Sequence, residues 1–286
     1  MITDKYRKDI VKYYDDCQID YEWAWNLNKR MAMHYGYWDE STTRLRHALT
    51  NMNKQVAAFA PVNHGDRVLD AGCGVGGSSI YLAQHLNCRT TGITLSEHQV
   101  QVCKDNAAKH DVSEQCDFEV QSYLSTTFPD NSFDVVWAVE SVCHAPNKAD
   151  FLSEAFRVLK PGGRLMIADF FANGVEKDSK GERLLAKWAN TWAVEKFAEK
   201  DDFWDSLHAT GFIECRQQDV STKIERTVKK LYRRFFLGLP ITLVLQIFGI
   251  RNWNTHFSNV MSAYYQYHAF NQELWRYMFY SAQKPK

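Results

Sequence analysis

The sequence predicts an α/β fold, and three observations carry that expectation. Val68-Leu69-Asp70-Ala71-Gly72-Cys73-Gly74-Val75-Gly76-Gly77 reads as a buried strand, a glycine turn and the start of a helix. Strand-like and helical stretches then alternate as far as about residue 170. The last two strand-like stretches are separated by residues 221–272, too long for a hairpin loop, so that segment must have structure of its own. The glycines let the backbone turn sharply and let a ligand come close. The helix that follows offers free N–H groups. A ligand is therefore expected at the carboxyl end of the first strand.

Taken in order, "KYRKDIVKYYDDCQIDYEWAW" mixes charge and aromatics and reads as largely helical. Thr43 to Phe59 is an amphipathic helix, and Pro61 to Asp66 turns into the first strand. Further strands are Arg89–Thr94, Cys116–Val120, Phe133–Val139 and Arg164–Phe170. The helix Ala149–Leu159 carries Phe151, Leu152, Ala155, Phe156 and Leu159 on one face, and Lys160-Pro161-Gly162-Gly163 is a turn. Residues 173–205 are a polar helical insert in which Trp188 and Trp192, four apart, share a face. Asp202 to Gly211 is a helix stopped by Gly211, and Phe212–Val220 and Leu274–Gln283 are the last two strands. The expected organisation is a helical cap over 1–60, a core over 61–220, a helical lid over 221–272 and a final core strand in 273–286.

Composition narrows the class. Apolar content of 45% suits a globular chain with a full core. A formal net charge of zero gives no sign of a nucleic-acid partner. Nine Trp, 14 Tyr and 17 Phe exceed what a core requires and fit a site for a large apolar or cationic substrate. Seven cysteines, an odd number with no C-x-x-C pair and no metal-like spacing, suit a reducing, cytoplasmic setting and imply no metal. The start, "MITDKYRKDI", lacks the apolar stretch of a signal peptide.

The identity of the ligand turns on a few residues. Gly72, Gly74 and Gly77 fit the G-x-G-x-x-G of dinucleotide-binding folds, but Asp70 two residues before Gly72 points elsewhere. "VLDAGCGVGG", "FDVVWAVES" and "RVLKPGGRLMIAD" resemble, in order and spacing, motifs of the class I S-adenosylmethionine (SAM) methyltransferases. The resemblance implies a seven-stranded Rossmann-like sheet with its last strand antiparallel. It also implies SAM as cofactor and S-adenosylhomocysteine as product.

Three further segments resemble the tocopherol methyltransferase, sterol C-methyltransferase and cyclopropane fatty acid synthase group. "HYGYWDE" is similar to a segment that lies over the methionine end of SAM there, which implies Tyr35 and Gly36, with Tyr14 and Trp38 as substrate-side aromatics. Aromatic packing of the N-terminal helices on the sheet is the alternative. "GITLSEHQ" lacks the ribose-binding acid usual at the end of the second strand. It resembles a signature in which Thr94, Leu95, Ser96 and Gln99 take over that hydrogen bonding. An N-cap at Ser96 is the other reading. The Asp that usually meets adenine is Ser122 here, so Gln121, Ser122 and Tyr123 are the candidates. "ESVCHAP" is similar to the sterol C-methyltransferase segment and implies Glu140 and His144 beside the transferred methyl. They would orient substrate or take a proton, unless they are structural. The cofactor set is then Tyr35, Gly36, Asp70, Gly72, Gly74, Gly76, Thr94, Leu95, Ser96, Gln99, Gln121, Ser122, Tyr123 and Glu140. Glu140 and His144 are the catalytic candidates, and Tyr14, Trp38, His144, Trp188 and Trp192 face the substrate.

The lid opens on Lys223, Arg226, Lys229, Lys230, Arg233 and Arg234 and runs into "FFLGLPITLVLQIFGI". A basic stretch beside an apolar one fits an ordinary substrate cover, with peripheral membrane contact through 223–250 or a homo-oligomer contact as alternatives. The apolar run contains Pro240 and is short for a membrane span. The expected reaction is SAM-dependent methylation of a small hydrophobic molecule, first an isoprenoid or sterol-like alkene carbon. The alternatives are O- or N-methylation of a prenylated phenol, amine or lipid head group, cyclopropanation of acyl chains, and a non-catalytic SAM-binding regulator.

Overall fold

The computed structural model describes residues 10–12, 31–247 and 253–286, with side chains for all of these except 241–247 and 253–256. Seven strands form one sheet: β1 (Arg67–Ala71), β2 (Arg89–Thr94), β3 (Cys116–Val120), β4 (Phe133–Val139), β5 (Leu159–Ala172), β6 (Ile213–Asp219) and β7 (Trp275–Gln283). Their spatial order is β3-β2-β1-β4-β5-β7-β6. β1 to β5 pair in parallel, and β7 lies antiparallel to both β5 and β6. The order reverses between β1 and β4, so a crevice opens at their carboxyl ends.

The helices are α1 (Leu45–Phe59), α2 (Gly77–Leu86), α3 (Glu97–Lys109), α4 (Lys148–Val158), α5 (Lys180–Thr191), α6 (Lys200–Ala209), α7 (Ser221–Ile247) and α8 (Trp253–Asn271). Their starts follow from sequence. Ser96 Oγ accepts from Gln99 N, Asn147 Oδ1 from Ala149 N and Ser179 Oγ from Glu182 N, each satisfying a donor the helix cannot. α7 and α8 fill the long interval between β6 and β7 and pack on each other.

β5 begins earlier than the sequence predicts. Leu159 is its first residue rather than the end of α4, and Lys160 to Gly163 run within the strand. Pairing draws this stretch in, because Gly162 N donates to Lys284 O and Lys284 N to Gly163 O. Gly162 has φ +77, which only glycine takes readily.

One aromatic cluster organises the wall between sheet and lid. Phe170, at the end of β5, has Tyr35, Trp188, Trp192, Trp275 and Tyr277 with ring centroids 5.1–5.6 Å away, all edge-on or tilted. Each such pair adds about 0.5–1.5 kcal/mol beyond burial. No helix among the described residues is long and apolar enough to cross a membrane.

Candidate active site

A cavity of about 750 Å³ lies at the carboxyl edge of the sheet, under the 31–35 segment and the lid. Its floor is the glycine turn. Gly72 has φ +96, and a Cβ there would stand 2.4 Å from Ser141 Cβ, so the close approach of β1 to the end of β4 requires glycine. A Cβ on Gly77 would meet Met31 O at 1.7 Å, so the N-terminal segment crosses directly over the start of α2.

Two buried acids face this cavity. Asp70 accepts from Ser79 Oγ at 2.7 Å, and burial pushes its pKa up to about 6. Glu140 follows β4 with φ +52, a left-handed conformation unusual outside glycine. Its Oε1 accepts from Tyr35 N at 2.6 Å and from the Tyr277 hydroxyl at 2.7 Å. Burial holds its pKa well above the usual carboxylate range, outweighing the two donors that lower it. Such strain persists where surroundings over-determine it and points to function.

The segment after Glu140 is fixed from below. Asp169, fully buried on β5, accepts from Cys143 N at 2.9 Å, and Lys148 Nζ donates to Cys143 O at 2.9 Å. His144 is thereby held on the cavity wall. Burial depresses its pKa to about 4, Lys148 adding to the effect and a backbone hydrogen bond at Ala193 opposing it. The imidazole is neutral at physiological pH.

Tyr35, Asp70, Gly72, Gly74, Thr94, Leu95, Ser96, Gln99, Gln121, Tyr123, Glu140, His144 and Trp192 all line this one cavity. Thr94 Oγ1 donates to Gln99 Oε1 at 2.5 Å, so the hydroxyl and amide are organised as a pair. Five other predicted residues are placed elsewhere. Gly36 packs under α1, where a Cβ would be 2.7 Å from Ala48 Cβ, and Gly76 packs against Phe118 and Cys103. Ser122 Oγ accepts from Leu124 N and caps its own turn. Trp38 is buried away from the cavity. Its Nε1 donates to Thr227 Oγ1 at 2.8 Å, and Arg226 and Lys230 lie over its ring at 4.2 and 4.6 Å from the centroid. Trp188 is also off the wall, fully enclosed by the Phe170 cluster. Tyr14 lies outside the described residues.

The walls also contain residues the sequence did not single out for the site: His34, Phe170 and, from the lid, Leu231 and Gln266, joined by Arg234 of the lid's basic stretch. His34 stands in the "HYGYWDE" segment, whose pattern drew Tyr35 and Gly36. The lid residues carry no local motif.

A sheet of this order with an antiparallel seventh strand, a glycine turn under a crossing segment and acids at the floor define a SAM-binding fold. The glycine cradle leaves room where a Cβ would intrude, and the acids Asp70 and Glu140 suit a ligand carrying ammonium and sulfonium charges. Comparisons agree. The family described as "Methyltransferase domain" matches residues 69–167. The 27-O-demethylrifamycin SV methyltransferase of Amycolatopsis mediterranei is 35% identical over 79% of this chain and 82% of its own length. The chloroplastic tocopherol O-methyltransferase of Arabidopsis thaliana is 32% identical over 74% of this chain and 66% of its own. The crystal structure of the [4+2]-cyclase SpnF superposes with a TM-score of 0.80 at 25% identity, covering 98% of this chain and 97% of that one. The chain belongs to the class I SAM-dependent methyltransferases, in the group related to tocopherol, sterol and other small-molecule methyltransferases. It is an enzyme that uses SAM and acts on a small hydrophobic molecule.

Proposed function

We propose that the acceptor atom is a hydroxyl oxygen on an apolar molecule, with His144 taking its proton. The observation that carries this reading is the division of labour at the end of β4. Glu140 is already engaged by Tyr35 N and the Tyr277 hydroxyl, whereas His144 presents a neutral imidazole to the same cavity. Bound SAM supplies a methyl activated by its sulfonium. The protein's tasks are to orient the hydroxyl in line with that methyl, exclude water and hold the released proton. A proton on His144 is not an added buried charge, because one positive charge is lost from the sulfonium as one appears on the imidazole. The Phe170 cluster and Trp192 supply the apolar wall. The expectation of an alkene carbon rests on the likeness of "ESVCHAP" to sterol C-methyltransferases. Two relatives described above, the 27-O-demethylrifamycin SV methyltransferase and the tocopherol O-methyltransferase, favour oxygen by name.

The test is transfer of labelled methyl from SAM into host extract, split into solvent-soluble and aqueous fractions and analysed by mass. Label as a methyl ether in the solvent fraction, with turnover of His144→Asn reduced about 10²–10⁴-fold at unchanged SAM affinity, supports the reading. Label on carbon, or full activity of His144→Asn, refutes it.

A further inference from the structure

We propose that His34 and Gln266 are further polar stations in the cavity, each accepting a hydrogen bond from its own hydroxyl on the substrate. The enzyme would then select apolar molecules bearing at least two hydroxyls. This deepens the reading above and rests on it only in taking the substrate to be a small apolar molecule.

His34 is 7% exposed and lines the cavity from the N-terminal segment. Its Nδ1 lies 2.9 Å from Tyr35 O. A carbonyl only accepts, so Nδ1 carries the hydrogen. Burial pushes the pKa of His34 down, so the ring is neutral and Nε2 is a bare lone pair. That atom is buried with no hydrogen-bond partner. Gln266 is 1% exposed and reaches the same cavity from α8 in the lid. Its backbone carbonyl accepts from Trp275 Nε1 at 3.1 Å, which anchors the residue, and its side-chain Oε1 is likewise buried without a partner.

Native proteins rarely leave buried acceptors unmet, and two on the walls of one ligand cavity require an explanation. Both atoms need a donor, and neither can be served by a hydrocarbon, an ether or a carboxylate. Two hydroxyls can serve them, one donating to each. The two residues come from the two elements that cover the sheet edge, the 31–35 segment and the lid, so such a ligand would tie both covers to itself. Thr94, Gln99 and Glu140 on the same wall have protein partners.

The test is equilibrium dialysis of the S-adenosylhomocysteine complex, in which no methyl can move. The probes are 2,6-dihydroxynaphthalene, 6-methoxy-2-naphthol and 2,6-dimethoxynaphthalene. The wild type should bind the dihydroxy probe roughly 5–15-fold more tightly than the monoether, the worth of one buried hydrogen bond. In His34→Phe and Gln266→Met that preference should fall to about twofold or less. Retained S-adenosylhomocysteine affinity identifies a folded variant, and the wild-type comparison needs no variant at all. Equal affinity for the two probes, no binding of the dihydroxy probe, or a preference unchanged in both variants overturns the proposal. Donor preference together with label on carbon would refute only the methylated atom proposed above.

Discussion

Replacing Tyr277 by Phe removes one of the two donors to Glu140 Oε1 and leaves the Tyr35 N–H. The ring and its edge-on contact with Phe170, centroids 5.1 Å apart, remain, so the perturbation is confined to the hydroxyl. A hydrogen bond to a charged buried group is worth about 1.5–3 kcal/mol, and one to a neutral group about 0.5–1.5 kcal/mol. Which figure applies depends on pH. The folded pKa of Glu140 stands well above its ordinary 4.5. Between those two values the folded state holds a proton the unfolded state has released, so stability falls as pH rises through the window. The Tyr277 hydroxyl lowers that pKa, so its removal raises it further and makes ionisation costlier. The loss should therefore be larger above the folded pKa than below it. At about 2–4 °C per kcal/mol, Tyr277→Phe should lower Tm by roughly 3–12 °C above that pKa and by roughly 1–6 °C below it. Thermal unfolding without SAM, for wild type, Tyr277→Phe, Glu140→Gln and the double variant, measures this. Equal losses on both sides of the wild-type Glu140 titration, or strict additivity in the double variant, would refute the assignment of Glu140 as a carboxylate held by two donors.

Two other changes give independent readings. Gly72→Ala combines a φ of +96 with a Cβ 2.4 Å from Ser141 Cβ, and should destabilise by about 2–5 kcal/mol and weaken SAM binding. Gly72→Ala with Ser141→Gly should recover the packing part alone, as read by denaturant unfolding. Trp188→Ala should cost about 3–5 kcal/mol of stability because it empties a fully buried site. Trp192→Ala, on the cavity wall, should instead raise KM for the hydrophobic substrate, and steady-state kinetics with unfolding curves separate the two.

Much of the fold was legible because its signals are local. β2, β3 and β4 lie at the residues where apolar runs flanked by turns placed them. The start of β5 was not, because Lys160 to Gly163 become strand only by pairing with Lys284, far along the chain. The same division holds in the site. The glycine turn, Thr94 to Gln99, and Glu140 with His144 are contiguous motifs, and the structure gathers them around one cavity. Trp38 and Trp188 have the residue type of a substrate wall, but composition says nothing of which way a ring faces. For Trp38 the answer came from Thr227, Arg226 and Lys230, residues on a helix nearly 200 positions away. Gln266 reaches the cavity only through the way α8 packs, which no periodicity in its own segment specifies.

The seat of Tyr35 also bears on the order in which this enzyme can become active during synthesis. Tyr35 N is held by Glu140, 105 residues later, and Glu140 is held by Tyr277 on the strand the ribosome makes last in this sheet. A nascent chain can pair β1 to β4 and form its glycine turn well before that. Until β7 enters between β5 and β6, Glu140 holds the strap without its Tyr277 donor. Early intermediates would thus hold the cover of the cofactor cradle less firmly, and its tightening would report completion of the sheet.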